Sequence, residues 1–183
     1  MTTGLLVVDM LNDFMSGTLA NPAAEQTVVP IAGLLTVARD LDWVVLYGND
    51  AHHPGDIELR QFGEHAMQDT TGAQVIDPLK PEATDLVVPK RFYSAFTQTD
   101  LLATIRARGI DRLVIAGQHT DCCVRHTAYD AFVAHIPVTV VAEATAVYGP
   151  GSHEPVATRQ ERALGYLHTY YGTEIVASAS ELR

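Results

Sequence analysis

Six short apolar runs, each separated from the next by a polar or amphipathic stretch, constrain this chain more than any other feature. They are Leu5 to Val8, Trp43 to Tyr47, Leu86 to Val88, Leu113 to Ala116, Val138 to Val141 and Glu174 to Val176. Several are apolar at successive positions, so both faces of each strand must be covered. The intervening stretches carry helix signals. Asn21-Pro22 reads as a cap followed by proline at the first helical position, opening a helix to about Asp40. Thr99 caps a second helix that Gly109 ends. A third is expected from Cys122 or Cys123 to about Ala134, and a fourth from Glu154 to about Tyr171. Strands alternating with helices specify an α/β fold of three layers, αβα. Its core is a six-stranded, mostly parallel sheet, doubly wound through right-handed crossovers.

The 183 residues contain no repeat, low-complexity tract or linker, so one domain over 1–183 is expected. Apolar residues make up 47% and charged residues 19%, a globular balance. The net charge of -10 argues against nucleic acid or an anionic membrane as partner, because both select Lys and Arg. No run reaches the roughly 18 apolar residues of a spanning helix. The opening MTTGLLVVDM has no basic region and meets an acid at Asp9, unlike a secretory leader. A cytoplasmic location is the expectation. The only two cysteines, Cys122 and Cys123, are adjacent, which disfavours a structural disulfide and points to chemistry at one of them.

Ligands of open parallel sheets bind outside the carboxyl ends of the strands. Here Asp9 follows the first strand, Asp50 the second, Lys90 the third and, after the turn Gly117 to Asp121, Cys123 the fourth. Taken singly, a cysteine after a strand is usually a small buried hydrophobe, an aspartate a turn former and a lysine a solvated charge. Four strand ends that all carry titratable groups favour a site. Cys123 in the first turn of a helix is expected to have a lowered pKa, with Lys90 lowering it further. Asp9 is placed to move the thiol proton, and backbone N–H groups of the turn to hold an oxyanion. Asp121 is read as the cap of the Cys123 helix, and Asp13 as a turn residue or a helper of Lys90.

The segments Val8-Asp9-Met10-Leu11-Asn12-Asp13-Phe14, Lys90-Arg91-Phe92-Tyr93-Ser94-Ala95-Phe96 and Gly117-Gln118-His119-Thr120-Asp121-Cys122-Cys123-Val124 resemble the isochorismatase-like cysteine hydrolases. That superfamily includes nicotinamidases and N-carbamoylsarcosine amidases. The resemblance runs from about Leu5 to Val147 and implies a Rossmann-like topology. It also implies an Asp9–Lys90–Cys123 triad, with Cys123 chosen because it directly precedes Val. It places a cis peptide between Gln118 and His119, with the His119 and Cys123 N–H groups forming the oxyanion hole. Phe14, Tyr93 and Phe96 flank this site as candidate pocket walls.

The polar stretch from Asp50 to about Pro81 reads as a long functional loop. Asp50 and His52 are two residues apart, so an extended segment points both the same way. Carboxylate with imidazole suits Zn, Fe or Mn. The resemblance adds His65, which opens a segment ending Gly72-Ala73, and Glu58 as a fourth ligand. Zinc is the leading metal. Ala51 and Ala66 stand where many nicotinamidases have Trp and Cys, so the substrate is less defined than the reaction. The expected reaction is hydrolysis of a small amide through a thioester on Cys123, with nicotinamide first and an N-carbamoyl compound or other small amide second. The expected partners are that substrate and further copies of the chain in a homo-oligomer. Rival readings are a non-enzymatic metabolite-binding module, a metal-dependent hydrolase whose cysteine only packs, and a thiol redox sensor using Cys122 and Cys123. The first lacks a G-x-G-x-x-G after the opening strand.

Overall fold

A computed structural model describes residues 1–182. In chain order its elements are β1 (Thr2–Val8), α1 (Asn12–Met15), α2 (Val28–Asp40), β2 (Val44–Asp50), α3 (Leu59–Phe62), β3 (Leu86–Lys90), α4 (Leu101–Ala107), β4 (Ile110–Gln118), α5 (Cys123–Val133), β5 (Val138–Ala146), α6 (Val156–Tyr171) and β6 (Glu174–Val176), with short 3-10 turns between some of them. The strands form one sheet in the order β3-β2-β1-β4-β5-β6. All five pairings are parallel, so the expected mostly parallel sheet is parallel throughout.

Strand periodicity builds the layers. In β1, Leu5 and Val7 enter one core with Val45, Tyr47 and Val114, and α2 covers it through Ile31, Leu34 and Ala38. Leu6 and Val8 point the other way and pack with Leu46, Leu113 and Ile115. That face is covered by Leu101 and Ile105 of α4, Val124 and Ala128 of α5, and Leu167 of α6. The central strands are therefore apolar on both faces because helices lie on both. No described helix is long and apolar enough to cross a membrane.

The strand order reverses direction at β1, which neighbours β2 on one side and β4 on the other. Crossovers leave this point to opposite sides, opening a crevice at the carboxyl ends of β1 and β4. Gly117 makes the close approach possible. Its φ is +110°, and a Cβ there would lie 2.0 Å from the Val8 carbonyl oxygen.

Several local expectations are corrected. The strands run longer than their apolar cores, so Asp50 and Lys90 are the last residues of β2 and β3 rather than loop residues beyond them. Pro22–Thr27 is a 3-10 turn leading into α2, and Asn21 makes no side-chain cap. Thr99 Oγ1 does accept the Leu101 N–H, at 3.2 Å, next to the start of α4. Cys122 stands at the cap position of α5, while Asp121 instead pairs with Arg159 at 3.0 Å.

Candidate active site

Asp9 leaves β1 with φ +51° and is fully buried. Its backbone N–H donates to the Gly48 carbonyl, and its Oδ1 accepts the Asp50 N–H at 2.8 Å. Adjacent parallel strands thus hold this carboxylate by their backbones. The Lys90 ammonium, also fully buried, lies 2.7 Å from Asp9 Oδ2 and 2.5 Å from Asp50 Oδ1. The contact with Asp50 has hydrogen-bond geometry; Asp9 Oδ2 has a close charge but no hydrogen-bond donor. Asp9 Oδ2 is thus held by the charge of Lys90 and is the oxygen placed to exchange a proton.

Cys123 opens α5 and is almost fully buried. Its sulfur and carboxylate oxygens of Asp9 and Asp50 lie within 4.8 Å of one another. Burial and Asp50 push the Asp9 carboxyl up to about 7, against the opposing pull of Lys90. Burial alone would lower Lys90, but the Asp50 and Asp9 carboxylates outweigh it and keep the ammonium charged. The adjacent Cys122 thiol and burial raise Cys123 above the ordinary cysteine value, although Lys90 acts the other way. The expected lowering of the Cys123 pKa is thus corrected: burial and Cys122 push its thiol up, beside a carboxyl group placed to take its proton. Asp13 does not assist Lys90. It accepts the Ala66 N–H at 2.8 Å and anchors the long loop.

The Gln118–His119 peptide bond is cis. Among the described residues, neither the His119 N–H nor the Cys123 N–H donates to a protein acceptor. Both therefore remain available to an oxyanion at the start of α5. Asn21 holds this turn in place. Its amide donates to Gln118 Oε1 and the Val147 carbonyl, each at 3.0 Å, and Gln118 Nε2 donates to the Asp9 carbonyl.

A cavity of about 240 Å³ opens over Cys123. Phe14 and Tyr93 line it, whereas Phe96, half-buried against the core cluster that holds Cys123 and Val124, is not among the lining residues. Tyr148, Leu19 and Phe62 also line it and were not anticipated, and His119, expected for its backbone N–H, lines it as well. Tyr148 lies just past β5, where the rule that ligands sit at strand ends applies. It was missed because the apolar run ends at Val141 and the strand continues to Ala146.

Asp50, His52 and His65 each place one donor atom within 4.8 Å of the others. His52 Nε2 is buried without a hydrogen-bond partner, 3.7 Å from Asp50 Oδ2 and 3.8 Å from Glu58 Oε2. Those separations are too long for hydrogen bonds and suit donors arranged around a cation. His52 Nδ1 faces Asp56 at 3.3 Å, and Arg91 grips Asp56 in turn. His65 Nδ1 donates to the Gly63 carbonyl at 2.8 Å. Each imidazole thereby turns a lone pair away from its own anchor, the usual arrangement behind metal-ligating histidines. His53 is exposed and contacts Gln68 instead. The residues fit a divalent transition metal. The second carboxylate cluster, Asp9 with Asp50 and Cys123, already has the Lys90 ammonium as its cation.

A family model for the isochorismatase domain matches residues 3–169. The chain belongs to the isochorismatase family. A probable inactive nicotinamidase of Arabidopsis thaliana is 32% identical to this family member over 164 residues, 82% of this chain and 84% of the relative. The N-carbamoylsarcosine amidase of Thermoplasma acidophilum superposes with a TM-score of 0.86 at 38% identity, covering 96% of this chain and 95% of its own. The pyrazinamidase of Pyrococcus horikoshii, solved in complex with zinc, superposes at 0.84 with 27% identity, covering 96% and 99%.

Proposed function

We propose that this isochorismatase-family protein is a cysteine amidohydrolase that cleaves a small amide through a thioester on Cys123. One observation carries the reading: a buried acid, a buried ammonium and a cysteine at a helix start meet at the sheet's switch point, beneath a cavity with two undonated N–H groups. Asp9 takes the Cys123 proton as sulfur attacks the amide carbonyl. The oxyanion rests on the His119 and Cys123 N–H groups. The C–N bond then breaks, Asp9 returns the proton to the leaving nitrogen, and ammonia or an amine departs. Asp9 next activates a water that hydrolyses the thioester to the acid and restores the thiol. Lys90 holds Asp9 in place and balances the charge that Asp9 and Asp50 share.

Asp50, His52, His65 and Glu58 would hold the metal, zinc first. A bound metal supplies a Lewis-acid point that a ring nitrogen of the substrate can use. Nicotinamide is the leading substrate because this donor set lies beside Cys123. An N-carbamoyl compound is the second reading, favoured by the 38% identity to the Thermoplasma amidase. The alternatives of a metabolite-binding module and a thiol sensor make no use of the buried Asp9–Lys90 pair. Ammonia release from a panel of amides, with metal analysis of the purified protein, tests the proposal. Turnover is expected to vanish in Cys123→Ala and Asp9→Asn, and robust turnover in Cys123→Ala would refute the covalent mechanism.

A further inference from the structure

The cavity over Cys123 contains a polar group that the mechanism leaves unused. His119 contributes its backbone N–H to the proposed oxyanion site, and the residue is also part of the cavity's lining. His119 is 9% exposed, and its imidazole Nε2 is buried without a hydrogen-bond partner. Its orientation is set by edge contacts with Phe14, at 5.5 Å and 76°, and with Tyr148, at 5.1 Å and 70°. A buried polar nitrogen with no protein partner loses hydrogen-bond energy until something in the cavity supplies it.

The charged carboxylates lining the cavity have their cations behind them rather than in it. Asp50, Glu58 and Asp121 line the cavity, and no Lys or Arg does. The nearby cations are committed elsewhere. Lys90 lies between Asp9 and Asp50, Arg91 grips Asp56, and Arg159 binds Asp121 and the Tyr148 carbonyl. A divalent metal held by Asp50 and Glu58 would have its two charges matched by those two carboxylates. A substrate carboxylate away from the scissile amide would therefore enter a desolvated, acid-lined space without a cationic partner.

Resting on the amide-hydrolase reading above, we propose that His119 is a specificity residue selecting uncharged amides. Its Nε2 hydrogen-bonds a neutral polar atom of the substrate, while a substrate carboxylate finds every nearby cation already paired, which favours nicotinamide over an N-carbamoyl acid. The cavity volume of about 240 Å³ limits the choice to compounds of about one ring, below the roughly 300–1,000 Å³ typical of drug-sized sites. The same selectivity assists turnover, because hydrolysis converts a neutral amide into a carboxylate that this lining disfavours.

Succinamide and succinamate share one skeleton and differ in a single charge, which isolates the effect. Their binding to zinc-loaded Cys123→Ala protein is to be measured by calorimetry, where no turnover intervenes. Succinamide should bind on the order of 100-fold more tightly than succinamate. Adding His119→Leu should weaken succinamide binding about tenfold, as for one lost hydrogen bond, while His119→Asn should largely restore it. In the otherwise wild-type enzyme, His119→Leu should raise KM for nicotinamide more than it lowers kcat. Equal binding of the two succinyl compounds, binding of neither, or no effect of His119→Leu would overturn the proposal. Nicotinamide turnover in the wild-type protein is read separately. If it persists while the succinyl preference fails, only the selection by His119 falls. If it is absent while the preference holds, the choice of substrate falls instead.

Discussion

Replacing Asn21 by Ala tests whether the catalytic turn is held from outside the triad. Asn21 is fully buried and lies 97 residues from Gln118 in sequence. Its side chain makes three hydrogen bonds at 3.0 Å: to Gln118 Oε1, to the Val147 carbonyl and from the Gly149 N–H. Alanine leaves all three partners without it. At about 1 kcal/mol for each group left unsatisfied, the loss is about 3 kcal/mol. With a urea m-value of about 2 kcal/mol/M, the unfolding midpoint should fall by about 1.5 M. Activity should fall further than stability requires, because Gln118 also anchors the Asp9 carbonyl at 3.1 Å. A loosened turn misplaces both the acid and the oxyanion donors, and kcat should drop roughly 10- to 100-fold under fully folding conditions. Asn21→Asp keeps an acceptor for Gly149 but turns a carboxylate toward two carbonyl-type oxygens. Burial raises the pKa of the introduced carboxyl. The deficit of that variant should therefore grow as pH rises through the raised value and shrink below about pH 4, where the unfolded carboxyl is also protonated. Urea melts at several pH values and steady-state ammonia release provide the readings. A stability loss within the ~0.5 kcal/mol of ordinary surface substitutions, with kcat unchanged, would refute the assignment.

Lys90→Ala leaves Asp9 and Asp50 buried without their shared cation, so unfolding stability should fall by about 3–5 kcal/mol as well as activity, and a urea melt near the wild-type midpoint would contradict the ion-pair account. Asp56→Ala removes the anchor of His52 Nδ1 and should weaken zinc binding about 10- to 100-fold in competition with a chromophoric chelator, whereas unchanged affinity would show that His52 is not a ligand oriented this way. Gly117→Ala forces a Cβ against the Val8 carbonyl oxygen and should disrupt β1–β4 packing by more than the ~1–3 kcal/mol of a strained backbone alone, measured by thermal melting. Leu6→Ala, fully buried between β1 and the α4–α5 layer, should cost about 2–5 kcal/mol in the same melt.

The α/β architecture was readable because strand and helix periodicities are local properties of the chain. A run apolar at successive positions has to be covered on both faces wherever it ends up. The positions of Asp9, Asp50, Lys90 and Cys123 at strand ends followed from the same reading. Strand ends were less legible: Asp50 and Lys90 lie inside β2 and β3, since backbone pairing continues past the point where side chains turn polar. Asn21 looked like a cap and Asp121 like another, because each residue type does form caps, but long-range partners claimed both side chains.

From local patterning alone came the layered fold, the face each strand residue occupies and the groups able to do chemistry, all of which depend on neighbours a few residues apart. Packing decided how those groups behave. Asp50 binds Lys90 while also facing His52, the Cys123 thiol is raised rather than lowered, and Phe96 packs half-buried against the core instead of lining the cavity. Burial, charge pairing and side-chain direction depend on residues as far as 128 positions away. They come into being only when the strands align and water leaves the space between them.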